Sequence, residues 1–161
     1  MKVSRASSYA LHALMYMVRH STLLPVPNKV IAKAEGIPRE YLAKIFQLLV
    51  KKQIVISQIK GGGGYDFARP PEQISVLEVL EAVEGESLFE ECFLKHSDCE
   101  GIAENCNLFQ LWREATAKLR ESLSKTYLTE VTWTHPQHTF NTSSEKSLAA
   151  FKEGEKVKAD D

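Results

Sequence analysis

The sequence predicts a mainly α fold (α+β) in which a small helical domain carrying one β-hairpin is followed by a long helix. Three observations predict it. Apolar residues recur at helical spacing three times in the first fifty residues, the last two stretches being separated only by Glu35-Gly36-Ile37. A glycine run, Gly61 to Gly64, divides two short β-prone segments. The longest periodic pattern runs from Leu108 to Leu128, too long for the small domain before it to cover.

Taken in order, Val3, Ala6, Ala10, Ala13, Leu14 and Met17 form an amphipathic first helix to about His20, broken by Leu24-Pro25-Val26-Pro27. Asn28 is the expected N-cap of a short helix through Val30, Ile31 and Ala34, which Gly36 ends. Pro38 suits the first turn of a third helix, whose stripe is Tyr41, Leu42, Ile45, Phe46, Leu49 and Val50. Gln53 to Gln58 reads as a strand, Lys60 to Gly64 as a flexible tip, and Tyr65 to Ala68 as a returning strand. Two helices around a tight turn, then a glycine-tipped basic hairpin, make a winged helix-turn-helix domain over residues 1–70. Ser75-Val76-Leu77-Glu78 is a capping box opening a connecting helix within 71–89. Residues 90–106, rich in acids, read as a cysteine-bearing loop, 107–131 as a dimerisation helix, and 132–161 as a flexible polar tail.

The chain has 161 residues, 43% of them apolar and 25% charged, and no apolar run approaches the roughly 18 to 20 residues that cross a bilayer. A cytoplasmic protein with no membrane partner is expected. The net charge of −1 conceals an asymmetry: residues 1–70 carry eleven Lys/Arg against three acids, or +8, and residues 71–161 carry nine against eighteen, or −9. A basic half of that kind suits a polyanion. No nucleophile, base and orienting group stand in a recognisable set, so no enzyme is expected.

Double-stranded DNA is the expected partner of the basic half. Recognition helices meet base edges near their N-terminal ends, which places Pro38, Arg39, Tyr41 and Lys44 at the contact. Arg39 is the first base-reading candidate because its planar fork donates two bonds to one guanine. Lys51, Lys52 and Lys60 suit phosphate, and Gly61 and Gly62 permit close backbone approach at the wing tip.

All three cysteines, Cys92, Cys99 and Cys106, fall within fifteen residues. An odd, clustered set argues for metal or redox chemistry over a disulfide framework. Cys92-x3-His96-x2-Cys99-x6-Cys106 is acceptable for zinc. Three thiolates also suit an iron-sulfur cluster, and free redox-responsive thiols are the third reading.

The chain resembles the Rrf2 family of bacterial regulators, the group that includes IscR, NsrR, RirA and CymR. The resemblance covers about residues 1–131 and is carried by Ser7 to Leu14, Ile37 to Leu42, Lys60 to Tyr65, Ile74 to Val79, and the three cysteines followed by Leu111-Trp112. It implies a homodimer built on the long C-terminal helix and, in many members, a [2Fe-2S] or [4Fe-4S] cluster in the cysteine loop whose state controls binding to palindromic operators. Members without cofactor act through a partner protein. The intervals between cysteines are longer here than the commoner five-residue gaps. Phe109 stands where IscR-like members have a histidine ligand, and Ser8 where NsrR-like members take an acid from the partner's first helix. One turn on from Ser8, His12 matches a histidine ligand of one branch of the family, which makes it the first candidate for a fourth ligand, His96 the second. An open iron site would suit a small-molecule effector such as nitric oxide.

Overall fold

The structure, a computed structural model, describes residues 3–59, 63–90 and 106–131. Helix α1 (Arg5–Arg19) starts where Ser4 turns extended and its hydroxyl accepts from the Ser7 amide, filling one of the donors a helix start leaves open. Ala10, Ala13, Leu14 and Met17 are fully buried, so the expected face is the core face; Val3 lies outside the helix and is exposed.

Helix α2 (Asn28–Glu35) and helix α3 (Arg39–Lys51) enclose the expected turn, with Gly36 left-handed at φ 64° and Ile37 donating back to the Ala32 carbonyl at 2.9 Å. Each helix begins one residue from its expected start. Pro27 and Pro38, held at φ −63° and −56° with extended ψ, take the cap positions. Asn28 is therefore the first helical residue and not the N-cap; its side chain is occupied elsewhere.

The wing is a two-stranded antiparallel sheet, β1 (Val55–Gln58) and β2 (Gly64–Phe67), with Val55 opposite Phe67 and Ser57 opposite Tyr65. The first strand is shorter than expected because Gln53 takes a left-handed φ of 55° in leaving α3. Val26, between α1 and α2, extends the sheet by one residue: its amide and carbonyl each bond Tyr65, both at 2.9 Å. That contact fixes the residue at 64. A Cβ there would lie 2.7 Å from the Val26 carbonyl carbon and 2.8 Å from its oxygen, at a φ of +154°. Tyr65 then stacks on Phe46 of α3, centroids 3.9 Å apart and planes 6° from parallel, and burial pushes its phenol pKa up.

Helix α4 (Val76–Glu84) has its capping box complete: Ser75 Oγ accepts from the Glu78 amide at 3.3 Å and Glu78 accepts from the Ser75 amide at 2.8 Å. Its Val79 and Ala82 join the core of α1 to α3, while Val76, Leu77 and Leu80 gather with Phe89 in a second cluster. At its end Glu84 accepts from the Ser4 amide at 2.8 Å and from the Ser7 hydroxyl, tying α4 to the start of α1. Packing therefore continues past residue 70.

Helix α5 (Asn107–Ser124) stops short of Leu128, which the periodicity had assigned to its stripe. The hydroxyls of Ser124 and Thr126 bond carbonyls three and four residues back, at 2.7 and 2.9 Å, and compete with helix continuation. The chain returns to the domain instead. Thr126 accepts from the Val76 amide at 2.8 Å, Leu128 donates to the Ile74 carbonyl at 3.0 Å, and the Leu128 side chain is 1% exposed in the main core. Along α5 only Thr116 is buried, and Leu108, Leu111 and Leu119 stay exposed. Among the described residues no helix is long and apolar enough to cross a membrane. The tail 132–161 lies outside them.

Gly64→Ala should destabilise the protein by at least about 2 kcal/mol, because backbone atoms, not a flexible side chain, meet the new methyl. Gly36→Ala, with nothing within 4 Å of its Cβ, should cost only about 1 kcal/mol, the left-handed backbone penalty. Denaturant titration of both variants checks this; equal losses would contradict it. Burial alone would raise the Glu78 pKa, but hydrogen bonds from Arg69 and Ser75 and the Arg69 charge outweigh it and hold the group below its ordinary 4.5. A depressed carboxylate contributes stability above its unfolded pKa and loses it as pH falls through the folded value. Glu78→Gln should be less stable than wild type at neutral pH, the gap closing below pH 4.5. A gap that stays constant into that acid range would refute the charge as its source.

Candidate nucleic-acid interface and cysteine segment

Helix α3 buries Leu42, Ile45, Phe46 and Leu49, a stripe at the spacing of one helical face. Burying that stripe directs Arg39, Lys44 and Lys51 to solvent. Tyr41 lies at the edge of this surface, 40% exposed, its ring edge-on to Tyr9 of α1 at 5.8 Å between centroids. Pro38, also exposed, caps the helix at the same end.

Arg39 adjoins the loop end of the hairpin. With Asn28, Lys29, Ser57, Gly63 and Gly64 it lines a cleft of about 310 Å³ between the start of α2, the start of α3 and the hairpin. Lys44 and Lys51 lie further along the helix, one and three turns on. Lys52 is paired with Glu86 at 3.1 Å, both side chains largely exposed, a contact of small energy. Lys60, Gly61 and Gly62 lie outside the described residues, so the structure places the two flanks of the wing and not its tip.

Two of the three acids of this half, Asp66 and Glu35, make internal contacts. Asp66 accepts from the Phe67 amide at 2.7 Å and from Gln58 at 3.2 Å. Glu35, its side chain 2% exposed, accepts from Arg19 at 3.0 Å and meets His12 Nδ1 at 3.2 Å. An acid in the last turn of a helix opposes the helix dipole, and that mismatch was the signal in the sequence that Glu35 has tertiary partners. Asn28 and Gly64 were missed as well: a polar residue before a helix reads as a cap, and four successive glycines read alike.

Of the cysteines, Cys106 is described. It is half-buried and precedes the first residue of α5, its carbonyl accepting from the Gln110 amide at 3.2 Å. Cys92, Cys99 and His96 lie outside the described residues. Ser8 and His12 occupy one face of α1, Ser8 exposed and the His12 side chain 21% exposed. Among the described residues no three His, Cys, Asp or Glu side chains stand close enough to hold a metal ion.

A family model described as Rrf2, iron-dependent transcriptional regulator, matches residues 3–133. The transcriptional regulator IscR of Sodalis glossinidius is 32% identical over 131 residues, covering 81% of this chain and 78% of its own length. Among solved structures, T. potens IscR superposes with a TM-score of 0.64 at 25% identity, over 81% of this chain and 85% of that one. CymR, the global cysteine regulator of B. subtilis, superposes with a TM-score of 0.65 at 22% identity, over 81% and 95%. The winged helix-turn-helix, its exposed basic helix face and these matches together establish the chain as a member of the Rrf2 family of transcriptional regulators.

Proposed function

We propose that the protein is a homodimeric regulator that reads a palindromic operator through α3 and the wing, under the control of an iron-sulfur cluster. The observation that carries the DNA reading is the outward set Arg39, Tyr41 and Lys44 on a helix whose opposite face is locked into the core. Arg39 reads a base, Tyr41 and Pro38 shape the contact, and Lys44, Lys51 and Lys60 meet phosphate, with Gly61 and Gly62 allowing close approach of the wing. The exposed Leu108, Leu111 and Leu119 of α5 support pairing with a second copy, since an unpaired apolar helix face of this kind is an interface feature. Two copies related by a two-fold axis present two recognition helices to half-sites about 34–36 Å apart.

The donor chemistry fits a cluster: three thiols within fifteen residues, and in His12 an imidazole already engaged with a carboxylate, as metal-bound histidines commonly are. Cys92, Cys99 and Cys106 would hold it, with His12 of the partner subunit as fourth ligand. When bound, the cluster supplies iron whose abundance, oxidation state or reaction with nitric oxide is the signal. Cys106 adjoins α5, so the thiol and the dimer helix are one covalent unit, and a change at the sulfur bears on the spacing of the two reading heads.

Arg39→Ala should cost about 1–3 kcal/mol of operator affinity and relax selectivity at one base pair per half-site, whereas Lys51→Ala should weaken binding to all sequences and reduce the salt slope by about one. Selection from randomised duplexes and salt titration separate the two; unchanged base preference in the arginine variant would remove Arg39 from the reading. Anaerobic purification should yield coloured protein containing iron and sulfide, and Leu111→Glu should halve the mass seen by light scattering. Iron-free protein with normal operator affinity would sink the cluster, and a monomeric wild type would sink the dimer.

A further inference from the structure

Asn28 does not cap α2. Its Nδ2 donates to the backbone carbonyl of Arg39 at 3.0 Å, eleven residues on, and its Oδ1 is buried with no hydrogen-bond partner. The bond fixes which way the amide points, because the opposite orientation would set oxygen against oxygen. Helices α2 and α3 are joined covalently through Gly36-Ile37-Pro38 at the C-terminal end of α2; this bond joins the N-terminal end of α2 to the first residue of α3. The two connections close a triangle whose shared corner is the start of α3.

Arg39 sits at that corner with its side chain exposed, beside Gly63 and Gly64 of the wing and across one cleft from Lys29. A bidentate contact from a guanidinium to a base edge tolerates errors of only about 0.5 Å and 10–20°. The arginine side chain is long, so a small tilt of α3 at its first residue is magnified at the guanidinium. We propose that Asn28 is a positioning residue for DNA reading: it holds the backbone from which the Arg39 side chain departs and so sets the aim of the base contact. The inference rests on Arg39 being the base-reading residue.

The test is a double-mutant cycle of Asn28→Ala and Arg39→Ala, using duplexes that the wild-type protein selects from randomised DNA, with a scrambled duplex as control. Asn28→Ala should reduce the preference for the selected over the scrambled duplex by about 3- to 10-fold, leave scrambled-duplex affinity within about twofold, and have no further effect in the Arg39→Ala background. A purely structural role would lower both affinities together and act equally in both backgrounds. If Arg39→Ala leaves base preference intact, the reading of Arg39 fails. If Arg39→Ala abolishes it while Asn28→Ala is silent or additive, the positioning role fails. Should Asn28→Ala not fold, Asn28→Asp, the same shape without the donor, completes the same cycle, the scrambled duplex correcting for its added charge.

Discussion

Two hydrogen bonds between Val26 and Tyr65 hold the wing to the rest of the molecule, and the backbone approach that permits them is open only to a residue without a Cβ at position 64. Much else hangs on that approach. It turns a marginal two-stranded hairpin into part of the domain, since such a hairpin has little stability alone. It also sets Tyr65 flat against Phe46, so that the linker after α1, the wing and α3 meet at one point. The angle between recognition helix and wing is thus decided by main-chain contact backed by an aromatic stack, not by the charged residues that line the surface.

Carboxylates do the complementary work of joining helices. Glu35 joins α2 to α1, Glu84 joins α4 to α1, and Glu78 joins the capping box of α4 to Arg69 beyond the wing. For Glu84, as for Glu78, burial would raise the pKa, and hydrogen bonds, here from Ser4 and Ser7, outweigh it. The first seventy residues hold three acids against eleven basic side chains, and of the three Glu35 pairs with Arg19 while Asp66 accepts from the Phe67 amide and from Gln58. The positive field of this half is therefore little offset at the surface.

Helices declared themselves in the sequence because burial imposes a period on α1 and α3, and the capping box of α4 is a local signal with a local cause. What escaped was set by distant partners. Asn28 has the side chain of a cap, and only the position of Arg39, reached through the turn, reassigns it. Leu128 continues the spacing of α5 while belonging to another layer, since periodicity records a helical face but not where the helix stops. Gly64 is one of four like residues, distinguished only by the Val26 backbone against it. The basic surface was legible through Arg39, Tyr41 and Lys44 because the stripe they flank is itself periodic; the part of the wing built from Lys60 to Gly62, and the sulfurs of Cys92 and Cys99, remain legible at the level of composition alone.

The return of Leu128 to the core makes α5 a lever. Its fulcrum is the pairing of Thr126 and Leu128 with Val76 and Ile74, and its far end, beside Cys106, lies roughly 27 Å away at 1.5 Å per residue. Near that joint the arm is held on α4: Arg120 donates to Glu81 at 3.0 Å, and Leu123 packs against the cluster of Val76, Leu77, Leu80 and Phe89. At that length a shift of about 1 Å beside the sulfur corresponds to a rotation of only about 2°, and it bears on α4 both at Glu81 and at the N-terminus, where Ser75 and Glu78 brace each other. Small displacements at one end of such an arm reach the other as strain on a hydrogen-bonded joint, and the stiffness of that joint sets how much of the movement passes into the domain that carries α3.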